Sequence, residues 1–202
     1  WNWSPNAPPI PVGAGDLIGK VGSSFDFEVH DTEETLDGFV SLSRYGQQKL
    51  YTVDPFDYFE EPLRTRLLEK NLRTAEPMGG RIDFDIDGRL VGNWFLEGAK
   101  GADEQKALAF VYDYLDPTQI RISVGGLVER RGCGVRGNAP DPTEVTPASG
   151  LIKYEITGTG WLVADTGEPW PEGSNLPGSE LTGVNLDSRG SLLVQMLGDR
   201  LI

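Results

Sequence analysis

Residues 108–125, LAFVYDYLDPTQIRISVG, decide how this chain folds. Apolar runs flank Asp116-Pro117, and a proline behind a short acidic residue opens a turn. Beyond it, Ile120, Ile122 and Val124 recur at every second position, which places them on one face of a strand. The stretch predicts a β-hairpin with strands over 108–115 and 119–125. Upstream, Ile82, Phe84 and Ile86 alternate with Asp83 and Asp85, and Asp87-Gly88 is a strong hairpin signal. A returning strand is expected over 89–96, with an acidic face turned to solvent. Further strands are expected over 151–157, 160–164 and 191–197. A Gly/Pro-rich loop is expected over 132–147, and a long turn-rich segment over 165–189. The fold class that follows is mainly β: an antiparallel, hairpin-rich sandwich or open barrel over 79–202.

The first part of the chain reads differently. Residues 1–12 are Pro-rich and predict an extended arm. Residues 13–78 predict short strands at 17–21, 25–30, 39–42 and 49–53, then one clear α-helix over 61–72. Pro62 suits a first helical turn, where its missing N–H is no loss. Leu63, Leu67 and Leu68 then share a face. The change of pattern puts a boundary near 77–80, and no internal repeat is visible.

Composition narrows the function. The 202 residues suffice for one domain with a sizeable core or two small ones. Hydrophobic residues make up 38% and charged residues 24%, so the chain folds without help. A net charge of −13 without a Lys/Arg cluster excludes nucleic acid and disfavours anionic membranes. Cys133 is the single cysteine, so no intrachain disulfide forms. No apolar stretch is long enough to span a bilayer. The opening at Trp1, with no initiator Met and no signal-like segment, predicts a processed or truncated piece of something longer.

Gly15-Asp16-Leu17-Ile18-Gly19-Lys20-Val21-Gly22-Ser23-Ser24, then Phe27-Glu28-Val29 and Val53-Asp54-Pro55, carry a resemblance. Together they resemble the end of the catalytic domain of lysostaphin-type (LytM-like) zinc endopeptidases. In that family a Gly-x-x-Ile-Gly-x-Val-Gly-Ser strand leads to a His-x-His strand, and a Val-Asp-Pro segment closes the domain. The resemblance implies that the first part is the remnant of a peptidase-like β-sheet, covering about a quarter of the chain. Aligned on Phe27-Glu28-Val29, the two histidines of that pair fall at Ser24 and Asp26. The scaffold is matched and the chemistry is not, because catalytic zinc needs three protein ligands and an open position. The chain has one histidine, His30, and neither His nor Asp precedes Gly15. Asp26 and His30 are the only basis for a rebuilt zinc site, and strand alternation puts His30 on a face with Asp26 and Glu28. The plainer reading of His30 is a strand histidine near Asp31 and Glu33. Stretches at 53–59, 80–98, 113–125 and 137–154 also look like a segment that follows such degenerate peptidase domains in exported proteins.

Other motifs are weighed one by one. Asp83-x-Asp85-x-Asp87-Gly88 matches the opening of an EF-hand calcium loop, so these carboxylates are a candidate calcium site. The twelfth position is Trp94 instead of Glu, which favours an ordinary acidic hairpin. Gly92-Asn93-Trp94-Phe95 resembles the Gly-x-Trp signature of lipocalins, making Trp94 a candidate ligand contact against its reading as a core aromatic. Asp54, Asp57, Glu60 and Glu61 lie among Phe56, Tyr58 and Phe59, as glycosidase carboxylates and platforms would. A helix entry explains them more simply. Gly132–Gly137 has Gly-x-Gly spacing without a strand–helix unit behind it, which excludes nucleotide binding there.

The expectation is a non-catalytic, exported or cell-envelope β protein, extracellular, periplasmic or at the cell surface. It would act as a structural, assembly or binding module toward protein, cell wall or its own copies. No catalytic residue and no resident cofactor is assigned, calcium being the one candidate ion. The alternatives are a small-ligand carrier in a lipocalin-like barrel, and a zinc-dependent peptidoglycan hydrolase with ligands outside this chain.

Overall fold

The computed structural model describes residues 8, 10–22, 27–73, 75–102, 106–125, 131–157, 190–198 and 200–201. The protein is mainly β. Among the described residues, seven antiparallel strands form one curled, half-barrel sheet in which every strand pairs with its sequence neighbours. They are β1 (Gly92–Phe95), β2 (Ala107–Tyr112), β3 (Ile120–Val124), β4 (Arg131–Val135), β5 (Leu151–Thr157), β6 (Gly190–Leu197) and β7 (Arg200–Leu201). Such a meander needs only hairpins or loops between neighbours, which the dense turn residues supply.

The hairpin expected at 108–125 forms as β2 and β3, with Leu108 opposite Val124 and Phe110 opposite Ile122. Period two then decides the core. Phe110, Ile120, Ile122, Val135, Tyr154, Val194 and Met196 all turn to the same interior. Phe110 and Tyr154 meet at its centre, ring centroids 5.6 Å apart. Leu90 and Val145 close it from outside the ladder, joined by Leu90 N–H to Val145 C=O at 3.1 Å.

Four expectations are corrected. Residues 131–135 form β4 where a loop is expected over 132–147. Gly132 and Gly134 mask the alternation, but Cys133 and Val135, which alternate with them, are buried. The expected strand over 81–87 makes no ladder, although the turn at Asp87-Gly88 forms with Arg89 N–H bonded to Ile86 C=O at 3.0 Å. Its alternation is real and its faces are reversed: Asp83 is only 2% exposed, while Ile82 and Ile86 are each 41% exposed. The helix expected over 61–72 is shorter: α2 spans Leu63–Leu68, after a four-residue α1 at Gln47–Leu50. Asn71 and Arg73 end it by turning to the next loop, Asn71 bonding Met78 C=O and Arg73 bonding the carbonyls of Ala75 and Pro77.

The strands expected before residue 54 are likewise absent from the described residues there. Residues 17–21 and 27–29 have no regular structure, 40–41 form a turn, and Leu42–Arg44 is a short 3₁₀ helix. His30 and Thr52 make a single β-bridge. The strand expected at 160–164 and the segment 165–189 lie outside the described residues. What docks the first part on the sheet is aromatic: Phe39 stacks on Tyr45 at 3.9 Å, and Tyr45 meets Phe95 of β1 edge-on at 6.2 Å. Arg44 lies 4.8 Å over the Phe95 ring and donates to the carbonyls of Ala99 and Gly101.

Candidate functional site

Two of the carboxylates singled out as a candidate calcium loop, Asp83 and Asp85, accept backbone N–H groups. Asp83 Oδ2 accepts the Gly38 N–H at 2.9 Å, and Asp83 Oδ1 takes Arg81 Nε at 2.9 Å. Asp85 Oδ1 accepts both the backbone and side-chain N–H of Asn93, and Oδ2 accepts Val40 N–H. Asp54 works the same way, taking Phe56 N–H on Oδ1 and Gly79 N–H on Oδ2. Each of these three carboxylates is pressed against a glycine. A Cβ on Gly38 would run into Asp83, one on Gly79 into Asp54, and one on Gly92 into Asp85. Asp85 thus ties the free edge of β1 to the 38–40 turn, occupying an N–H that would otherwise invite another strand. Burial raises the Asp85 carboxyl above its ordinary value, helped by the nearby charge of Asp83, against the N–H groups that pull it down. Asp87 sits in the turn. Among the described residues no group of three or more His, Cys, Asp or Glu is placed to hold a metal ion.

Asp26 lies outside the described residues. His30 Nε2 lies 3.2 Å from Glu28 Oε2 on the surface. Trp94 packs half-buried against the core and donates its indole N–H to Leu90 C=O at 2.7 Å. It borders a cleft of about 430 Å³ with Arg44, Asp85 and Phe95. Asp54 caps the 3₁₀ turn Pro55–Tyr58, and Glu61 accepts from Thr65 N–H and Oγ, so the acidic-aromatic segment is built into helix ends.

A cleft of about 980 Å³ lies between the first part and the 77–83 loop. Phe56, Tyr58 and Tyr114 wall it, and Glu34, Asp37 and Asp57 give it negative charge around Arg81. Within it Asp54 and Asp83 are spent on backbone N–H groups.

A second polar cluster was not legible in sequence. Tyr112 O–H donates to Asp141 Oδ1 at 2.5 Å, and that oxygen also accepts Thr143 N–H and Oγ–H. Burial alone would raise the Asp141 carboxyl, and the hydroxyls of Thr143 and Tyr112 outweigh it and hold it low. Burial and the Asp141 bond push the Tyr112 phenol up to about 12. The Tyr154 hydroxyl lies buried nearby without a hydrogen-bond partner among the described residues. Tyr112→Phe is expected to cost about 1–2 kcal/mol, because Asp141 loses a charge-assisted bond. Tyr154→Phe is expected to be neutral to within about 0.5 kcal/mol, since no bond is lost. Urea unfolding of the two variants checks the contrast, and equal losses would refute this assignment of partners.

One feature has no counterpart in the packed body. Ile10, Val12, Leu17, Ile18 and Val21 are all exposed, Leu17 at 84%. A Cβ built on Gly19 or Gly22 meets no atom within 4 Å. Comparison of the chain with protein-family models, with curated proteins and with solved structures finds no match. No helix among the described residues is long and apolar enough to cross a membrane.

Proposed function

We propose that this chain is a non-catalytic, exported or cell-envelope β module that works by assembly or binding, with the apolar segment 10–22 as its docking element. The observation that carries the reading is that segment: five large apolar side chains within thirteen consecutive residues stand in solvent. Single exposed apolar residues are ordinary, whereas a contiguous run marks an interaction site. The non-catalytic half rests on the sequence, with one histidine in the whole chain and its one cysteine buried. Export rests on the resemblance of 15–55 to lysostaphin-type peptidases.

Two measurements test it. Purified peptidoglycan incubated with the zinc-supplemented protein is expected to remain intact; release of muropeptides would overturn the non-catalytic half. Deleting residues 1–22 is expected to leave the urea midpoint unchanged and to remove association with purified envelope fragments. A lowered midpoint would make the segment part of the fold instead of a docking element.

A further inference from the structure

Resting on that reading, we propose that the segment centred on Ile18 pairs with the same segment of a second copy of the chain, as an antiparallel two-stranded ribbon about a twofold axis. The backbone is available for it. The chain turns at 13–16, where Asp16 N–H meets Gly13 C=O at 3.1 Å and Gly13 N–H meets Asp16 Oδ2 at 2.6 Å. Beyond that turn, residues 17–22 make no backbone hydrogen bond among the described residues. Unpaired N–H and C=O groups beside exposed apolar side chains are a template for a further strand.

The side chains say which strand. With Ile18 opposite Ile18 of the partner subunit, Asp16 stands opposite Lys20 of the partner subunit, and the twofold axis repeats that pair. Leu17 then faces a glycine, Gly19, so a large side chain meets empty space, while Val21 lies beside the 13–16 turn of the second copy. Opposite charges directly across an antiparallel pair attract, and like charges repel. Asp16 Oδ1 and the Lys20 ammonium have no partner among the described residues, so both are available. A slip of one residue in either direction puts Asp16 opposite Gly19 or Val21 and dissolves both ion pairs, so the charges also fix the register. Complementarity of a segment with its own antiparallel copy is what an isologous interface requires.

Sedimentation of the full chain tests the proposal. Wild-type protein is expected to show a concentration-dependent dimer. Asp16→Lys and Lys20→Asp are each expected to weaken it about tenfold or more, because each turns two attractive pairs into repulsive ones. An equimolar mixture of the two variants is expected to recover the dimer, since one copy now carries two cations and the other two anions. Ile18→Cys is expected to cross-link two chains on oxidation, with Cys133 silent because it is buried. All these positions are exposed, and unchanged urea midpoints would show that the fold is intact. A wild-type monomer at every concentration, variants that associate as wild type does, or no recovery on mixing would each overturn self-pairing. Loss of envelope association on deleting 1–22 is a separate result, so a failure here leaves the docking reading standing with another partner.

Discussion

Arg121→Ala is expected to lower stability by about 3–5 kcal/mol, the cost of breaking a buried ion pair from one side. Arg121 and Asp113 are both almost fully buried, with Arg121 Nε 3.0 Å from Asp113 Oδ2. The other Asp113 oxygen accepts the N–H groups of Leu115 and Asp116, so one carboxylate both pairs with β3 and shapes the β2–β3 turn. Removing the guanidinium leaves a negative charge in the interior without its counterion. Domains of this kind have about 5–15 kcal/mol in total, so the variant should sit near the edge of folding at ambient temperature. A double-mutant cycle with Asp113→Ala is the sharper measurement. The double variant should lose less than the sum of the singles, because neither charge is then stranded. Additive losses, or a single loss under about 1 kcal/mol, would mean that the pair is solvated and carries little.

How far the sequence reveals the molecule depends on which force sets each element. The β2–β3 hairpin, β5 and β6 are legible because their alternation of apolar residues is what buries them. Strand β4 is not, because Gly132 and Gly134 erase the period and only Cys133 and Val135 carry it. Residues 81–86 show the opposite failure: the period is correct and the face is wrong. Hydrophobicity says that Ile82 and Ile86 go in; three backbone N–H groups at 38, 40 and 93 need acceptors, and Asp83 and Asp85 turn in to meet them. A run of alternating aspartates therefore reads equally as a solvent face, a calcium loop or a set of backbone ties. Only the location of Gly38 and Val40, distant in sequence, separates them. The expected helix is legible in kind and not in length, since its end is set by Asn71 and Arg73 reaching a loop that local propensity does not see. The segment around Ile18 shows its strand-like composition in sequence, yet that it pairs with no strand among the described residues emerges only from the structure.

Asp85→Ala is expected to cost about 2–3 kcal/mol, and Gly92→Ala about 3 kcal/mol or more, from lost charge-assisted bonds and backbone strain. Both act at one contact, where the Asp85 carboxylate bridges Asn93 N–H on β1 and Val40 N–H on the facing turn, at 2.9 and 3.1 Å. Gly92 has φ of 115°, a region that other residues enter only under strain. Its Cβ would stand 2.5 Å from Asp85 Oδ1 and 2.8 Å from Asp85 Cα, so the bridge itself must move. Asp85→Asn separates geometry from charge. It keeps one acceptor oxygen and turns an amide donor toward the other N–H, so about 1 kcal/mol of loss is expected. Its pH dependence is the discriminating readout. Burial raises the Asp85 carboxyl in the folded state, so the fold binds that proton more tightly than the unfolded chain does. Stability from this group is then fully present below the ordinary aspartate value of 3.8 and declines as pH rises from there through the raised value. Asp85→Asn should abolish that decline, narrowing its deficit against wild type as pH rises across the window and holding it constant above. A deficit that widens instead with rising pH would mean that the N–H groups of Asn93 and Val40 outweigh burial, and that the charge of Asp85 stabilises the sheet edge.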